Sequence, residues 1–336
     1  MYRVLYLSLI VYGAFSQITQ ALLIREGLVV FYGNEISLGV FFGSWLLWIA
    51  VGSALAIPLR ERISSPLPWL RGLLLSLPLL LGLQIITTRI VRHFFDISST
   101  QFIAFGDLFI AVTLINLPAA LVIGIAFPLA CKALNLELMS RHAEPASADK
   151  SQQAVQGISS LYIFDALGAL LGGFAFTFLL IELAGVWISW AVVMVSIAIT
   201  ALLLGGLRQH ATRVAARLLN IAGWLYLLFA LVFLFSPLDA KFSRLMETVR
   251  FQTLQPGLDL LDTVETRYGH VAIARLGDQV SVVNNGRIGI SFPNSEDAEK
   301  LAAYFFTQGN WPKRILKFGG TDSDLLAELL RYPLQG

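Results

Sequence analysis

The sequence predicts a mainly α-helical multi-pass membrane domain, followed by a small β-hairpin module and the first βα unit of an α/β fold. Three observations lead to this prediction. Long apolar runs are confined to residues 1–236, turn signals separate short β-like runs after residue 264, and a glycine loop follows an apolar segment at 314–318. The expected divisions are therefore 1–236, 237–310 and 311–336.

Composition places the protein in a lipid bilayer. The 336-residue chain is 56% hydrophobic and 14% charged, whereas globular domains carry about 25% charged residues. Its net charge of +2 gives no indication of a nucleic-acid partner, and the single Cys131 excludes a disulfide framework or a multi-cysteine metal site. The lipid bilayer is thus the expected partner of the apolar half.

Seven runs are long enough to cross a membrane, since a helical span needs about 20 mostly apolar residues. They cover residues 4–24, 36–57, 70–90, 108–134, 159–181, 187–207 and 218–235. Arg3 is the only charge before the first run, and no small-residue cleavage site follows it. We therefore interpret the first run as a retained span and not as a cleaved signal peptide.

Basic residues in the loops predict the orientation. Loops on the N-terminal side hold nine Lys or Arg residues in addition to Arg3, whereas the opposite loops hold only Arg25, Arg89 and Arg92. The positive-inside rule then puts the N-terminus in the cytoplasm. With seven spans, the C-terminal part is expected outside, and one missed span would reverse this.

Three acidic residues are candidates for intramembrane function, because a carboxylate within a span is costly and needs a partner. Asp165 lies within the fifth run, Glu182 ends that run, and Glu26 follows the first. For Asp165 the alternatives are a functional group, an interhelical hydrogen bond or a position near the interface. Glu26 and Glu182 are expected to be solvated or paired with Arg25 or Arg89. Gly168 and Gly172 form a GxxxG pattern, which predicts close helix packing.

The soluble tail combines hairpin and helix signals. Short strands are predicted at 270–275, 280–283 and 287–291, with turns at Gly277–Asp278 and Asn285–Gly286. A helix is predicted at 296–307, then a strand at 314–318 and a helix at 325–330. One βα unit cannot bury both its faces. The tail is therefore expected either to be cut off or to need a partner chain, or a second copy of itself, to complete the open sheet.

The tail resembles the beginning of spermidine synthase, the polyamine aminopropyltransferase family. The matching residues are Tyr268–Gly269, Asn285–Gly286 and the stretch `PKRILKFGGTDSDLLAELLRYP` at 312–333. The membrane half is similar to the multi-span region fused ahead of such domains in bacteria, through `QALLIREGLVVFYGNEISLG`, `GIAFPLA` and `LYIFDALGALLGGF`. The resemblance implies a Rossmann-like methyltransferase-type fold and an inner-membrane location.

The resemblance also implies a reaction. Aminopropyl transfer from decarboxylated S-adenosylmethionine to putrescine is the family's chemistry, and the first loop cradles the nucleoside co-substrate. Here that loop corresponds to Gly319, Gly320, Thr321, Asp322, Ser323 and Asp324. The match covers only the first part of the synthase domain, and the family's catalytic aspartate has no counterpart. No catalytic residue is assigned, and this chain alone is not expected to catalyse the transfer. The alternatives are a non-catalytic membrane scaffold or assembly protein, and a small-solute transporter.

Overall fold

The computed structural model describes residues 2–33, 35–95, 97, 101, 103–141, 149–181, 185–207, 213–266, 268–308, 314–318 and 323–332. Within these ranges the chain is mostly helical, and it carries one four-stranded antiparallel sheet. The long apolar helices come before the sheet, as the change in composition near residue 236 predicts.

Seven helices within the described ranges are long and apolar enough to cross a membrane, which agrees with the predicted number. They are α1 (Tyr2–Val30), α2 (Glu35–Arg62), α3 (Pro66–Phe94), α4 (Phe105–Arg141), α5 (Asp149–Ala175), α6 (Gly185–Gly205) and α7 (Arg213–Phe235). A π-helical segment, Phe176–Leu180, continues α5. Helix α1 was expected to end at residue 24 but runs to Val30. The two charged residues that follow residue 24 can remain in the helix because Arg25 pairs with Glu265 and Glu26 pairs with Arg89.

Glycines bring the helix backbones together. A Cβ atom built on Gly168 of α5 would lie 2.1 Å from the carbonyl oxygen of Ile10 in α1, and one on Gly172 would lie 2.6 Å from the Cα of Ala14. Gly52 of α2 and Gly124 of α4 meet in the same way, since a Cβ on either would lie 2.3 Å from a carbonyl oxygen opposite. The predicted packing role of the GxxxG pattern is confirmed.

A connecting helix, α8 (Leu238–Leu254), joins the bundle to the sheet. Near its start, the Phe242 ring packs edge-on against Trp187 of α6, with ring centroids 4.7 Å apart. Near its end, Arg250 contacts Glu26 of α1. Helix α8 therefore reaches from α6 to α1 within a single element.

The sheet consists of β1 (Asp259–Thr266), β2 (Gly269–Leu276), β3 (Gln279–Asn284) and β4 (Arg287–Phe292) in sequential order. Ala272, Ala274 and Val283 on one face pack with Phe251 of α8. Strands β2 to β4 confirm the predicted hairpins. Strand β1 was not predicted, because its `DLLDTVET` sequence carries acidic residues on both faces and lacks a clean alternation.

The last described elements are α9 (Ser295–Thr307) and α10 (Ser323–Leu329), which confirm the two predicted tail helices. They pack through Ala302 and Leu325, and the rings of Phe306 and Tyr332 stack 4.0 Å apart. The predicted strand at 314–318 is wrong. This segment joins no strand of the described sheet and every residue in it is exposed, whereas a strand needs a partner strand for its main-chain hydrogen bonds.

Candidate functional site

A buried cluster of charged side chains lies where the membrane helices meet the connecting helix and the sheet. We call it the junction cluster. Its members come from α1, α3, α8, β1 and β2, and they are Arg25, Glu26, Arg89, Glu247, Arg250, Glu265 and His270. Three carboxylates face three guanidinium groups, so the cluster is electrically balanced when His270 is neutral.

Glu26 is the centre of the junction cluster and is only 1% exposed. Arg89 donates to both of its carboxylate oxygens, from Nε at 2.9 Å and from Nη2 at 2.6 Å. Nη1 of Arg250 approaches the same two oxygens at 3.3 and 3.2 Å. One carboxylate of the membrane domain therefore satisfies a guanidinium from α3 and another from α8.

The outer part of the cluster continues from Arg250 to the sheet. Its Nη2 donates to Glu247 at 2.6 Å and to Glu265 of β1 at 3.0 Å. Arg25 of α1 donates to the other oxygen of Glu265 at 2.9 Å and to the carbonyl of Thr266 at 2.6 Å. Nη1 of Arg89 lies 3.1 Å from Glu247 as an ion pair, without hydrogen-bond geometry.

The neighbouring charges keep Glu247, Arg250 and Glu265, the members of the cluster on α8 and β1, in their ionised forms. Burial opposes ionisation of Glu247, but Arg250 and Arg89 outweigh it and hold the pKa of that carboxyl well below its ordinary value. Burial likewise opposes ionisation of Glu265, and Arg250 again lowers its pKa. Burial disfavours the charged form of Arg250, yet Glu26, Glu247 and Glu265 raise its pKa. The three groups are therefore ionised at neutral pH.

His270 contributes the only imidazole ring among the described members of the cluster. It is 4% exposed, and neither ring nitrogen has a hydrogen-bond partner within the described residues. Its Nε2 lies 3.2 Å from Glu247, and the ligand atoms of Glu247, Glu265 and His270 all lie within 4.8 Å of one another. This donor set could hold a metal ion by its chemistry. However, Nη2 of Arg250 already contacts both carboxylates and supplies the positive charge that an ion would bring.

The turn between β3 and β4 docks on the end of α1. Asn285 has a positive φ of 46°, and its Oδ1 accepts a hydrogen bond from the His270 amide at 2.9 Å. Gly286 lies so close that a Cβ there would be 2.7 Å from the carbonyl oxygen of Val29. The guanidinium of Arg287 lies over the Tyr32 ring, 5.2 Å from its centroid. The Asn-Gly pair thus serves both the hairpin and the attachment to the bundle.

The structure places the predicted site residues in different regions. Glu26 lies in the junction cluster, and its expected pairing with Arg89 is confirmed. Asp165 is half-buried on α5, where its Oδ1 would lie 2.9 Å from a Cβ built on Gly13 of α1. Glu182 lies outside the described residues, so nothing further follows for it.

The predicted nucleoside-binding loop lies apart from the cluster. Gly319, Gly320, Thr321 and Asp322 fall outside the described residues. Ser323 and Asp324 begin α10, and the Asp324 carboxylate accepts a hydrogen bond from the amide of Asn294. Asp324 therefore links the segment before α9 to α10 in this structure.

Sequence reasoning missed four members of the cluster, namely Glu247, Arg250, Glu265 and His270. A signal for two of them was present, since Glu247 and Arg250 are three residues apart on a helix whose sequence is amphipathic. The pairing of Glu265 with His270 depends on the register of β1 against β2, which the unpredicted β1 concealed.

Comparison with protein-family models, curated proteins and solved structures gives no match.

Proposed function

We propose that this protein is a membrane-anchored, non-catalytic scaffold built on a spermidine synthase-like plan. In it the helical bundle, α1–α7, holds the β module, which is α8 with β1–β4, in a fixed position at the membrane surface. The observation that carries the proposal is the sharing of Glu26 between Arg89 of α3 and Arg250 of α8. A scaffold needs a defined geometry between its anchor and the part that it presents. The junction cluster supports such a geometry.

The energetics of buried ion pairs support a rigid junction. Arg89, Arg250 and Glu26 are each no more than 1% exposed. Separating the module from the bundle would leave Arg250 or Glu26 without its partners, and removing one partner of a buried pair costs about 3–5 kcal/mol. The docking of Gly286 on Val29 adds a second point of attachment. Two attachment points restrict rotation of the module as well as its departure.

The position of the junction bears on which side of the membrane the module occupies. Arg25, Glu26 and Arg89, which contact the module, lie near the C-terminal ends of α1 and α3. Most loop arginines and lysines lie at the opposite end of the bundle. By the positive-inside rule, we propose that the module lies on the outer side of a bacterial inner membrane.

Aminopropyl transfer is a second candidate function, which the motif at 312–333 favours. It would use decarboxylated S-adenosylmethionine and putrescine, and it would require strands from additional polypeptide or a partner chain beside the exposed segment 314–318. Solute transport is less favoured. The side-chain amides of Gln84 and Asn116 inside the described bundle donate to the main chain of neighbouring helices, so these donors serve helix packing and not a solute.

Spin-label distances test the scaffold proposal. Labels at Ile57 on α2 and at Tyr268 on the module occupy exposed positions, 55% and 90% accessible respectively, and a Cys131→Ser background removes the native thiol. A narrow distance distribution is expected, which broadens when Arg250→Gln removes the contact to Glu26. A broad distribution in the parent protein would show that the module is not held, and would overturn the proposal.

Two further measurements separate the remaining questions. A membrane-impermeant maleimide should label Tyr268→Cys in intact cells, and labelling only after permeabilisation would place the module inside. Release of methylthioadenosine from decarboxylated S-adenosylmethionine by the purified full chain would favour the transferase and reject the non-catalytic scaffold.

A further inference from the structure

A cleft of about 340 Å³ lies between α8 and β1. Helix α8 lines it with Ser243, Arg244, Glu247 and Thr248, and β1 contributes Leu261 and Asp262 among others. Strand β1 is an edge strand of the described sheet, and it forms one wall of the cleft. Its size falls within the range of about 300–1,000 Å³ typical of small-ligand sites.

The lining carries one cation, Arg244, and two carboxylates, of which Glu247 is already paired with Arg250 and Asp262 is the second. Arg244 is exposed, and its guanidinium has no ion-pair partner within the part of the chain that the structure describes. The hydroxyl of Ser243 lies beside it in the lining. Asp262 uses Oδ1 to accept from the amide of Thr263 at 2.8 Å, which leaves Oδ2 for a ligand. This arrangement is complementary to a compact zwitterion that joins an anionic phosphate to an ammonium group.

The cleft also lies close to the ends of two of the long apolar helices, α3 and α7. Glu247 lines the cleft and is 3.1 Å from Arg89, which is five residues before the end of α3. Helix α8 begins three residues after Phe235, the strongly exposed end of α7. Leu238 and Leu245, 51% and 55% exposed, continue this apolar surface along α8. A molecule in the cleft can therefore be polar at one end and apolar at the other.

We infer that this cleft binds the headgroup of a phospholipid that carries a primary ammonium group, such as phosphatidylethanolamine. The phosphate pairs with Arg244 and Ser243, and the ammonium donates to Asp262, while the acyl chains lie over Leu238 and Leu245. A quaternary ammonium keeps its charge but has no N–H to donate, so a choline headgroup loses the charge-assisted hydrogen bond to Asp262. The inference does not depend on the scaffold function, because it concerns only this cleft.

Native mass spectrometry of the full-length protein in detergent tests the inference. Phosphatidylethanolamine and phosphatidylcholine with identical acyl chains are titrated against the parent protein, Arg244→Gln, Asp262→Asn and the control Lys241→Gln. Lys241 lies on the exposed surface of α8 but does not line the cleft. The parent and the control are expected to bind phosphatidylethanolamine about tenfold more tightly than phosphatidylcholine. This difference is the scale of one charge-assisted hydrogen bond.

The two variants distinguish the two ends of the headgroup. Asp262→Asn should abolish the preference for ethanolamine over choline while retaining lipid binding. Arg244→Gln should lower the affinity of the protein for both lipids about tenfold. Equal affinity for the two lipids in the parent protein overturns the inference, as does an Asp262→Asn variant that keeps the preference. Soluble glycerophosphoethanolamine that binds as tightly as the lipid would show a site for a free headgroup compound, and would also overturn it.

Discussion

Glu26 and Arg89, 63 residues apart in the chain, form a two-point ion pair that is wholly removed from solvent. Arg250 approaches the same carboxylate from α8, so Glu26 links two helices of the membrane domain to the β module. Burying charges in this way is costly unless every member is paired. The pair therefore makes the attachment of the module sensitive to single substitutions.

Replacing Glu26 should destabilise the protein strongly. Glu26→Gln leaves Arg89 and Arg250 buried without their shared counter-ion, and the expected loss is about 3–5 kcal/mol in the free energy of unfolding. Denaturant titration of the purified protein measures the change. Glu296→Gln is the matched control, because the Glu296–Lys300 pair is largely exposed and its loss should have no measurable effect. Equal stabilities of the two variants would contradict the central role of Glu26.

Acid should release the module from the bundle. The folded-state pKa values of Glu247 and Glu265 lie below the ordinary value of 4.5, since Arg250 stabilises both carboxylates. A group whose folded pKa is lowered contributes stability above its unfolded pKa and loses it as pH falls through the folded pKa. The opening equilibrium of β1, measured by amide hydrogen exchange, should therefore not change between pH 6 and pH 7. It should shift towards the open state below about pH 4.5.

A variant makes this pH prediction specific. In Glu247→Gln one of the titrating carboxylates is gone, so the additional opening between pH 4.5 and pH 3 should be smaller than in the parent protein. Asp297, which is exposed on α9, is the site of the reference substitution. Asp297→Asn should leave the acid response of β1 unchanged. An unchanged response in Glu247→Gln would place the acid-sensitive group elsewhere.

The length of the apolar runs predicted the membrane helices well, and local turn chemistry predicted the hairpins. Gly168 and Gly172 also signalled their packing role, because small residues at that spacing have one common use in membranes. These features depend on neighbours within a few residues along the chain. Such features can therefore be predicted from the sequence alone.

The junction cluster depends on contacts between distant segments. Arg250 meets Glu26 across 224 positions and Arg25 meets Glu265 across 240. Glu26 and Arg89 were candidates for pairing because both end apolar runs, but nothing local to Glu265 or His270 indicated that they face each other. The predicted strand at 314–318 failed for the opposite reason, since its local pattern was favourable but no adjacent strand pairs with it in the described sheet.

Asn285 should be sensitive to alanine and more tolerant of glycine. Its positive φ of 46° is strained for alanine, by about 1–2 kcal/mol, and its Oδ1 accepts from the His270 amide. Asn285→Ala loses both features, whereas Asn285→Gly loses only the hydrogen bond. Exchange of the His270 amide should accelerate in both variants, and the unfolding free energy should fall further for alanine. Equal losses would show that backbone strain at this turn contributes nothing.

Gly168 should tolerate no side chain. A Cβ at this position would lie 2.1 Å from the carbonyl oxygen of Ile10, closer than any real contact, so Gly168→Ala must push α1 and α5 apart. The expected cost is about 1–3 kcal/mol, the range for overpacked interiors. Gly39→Ala on α2 is the control, because a Cβ there has nothing within 4 Å. Denaturant titrations of the two variants compare these costs. If Gly168→Ala is as stable as Gly39→Ala, the close approach of α1 and α5 does not contribute to the stability of the bundle.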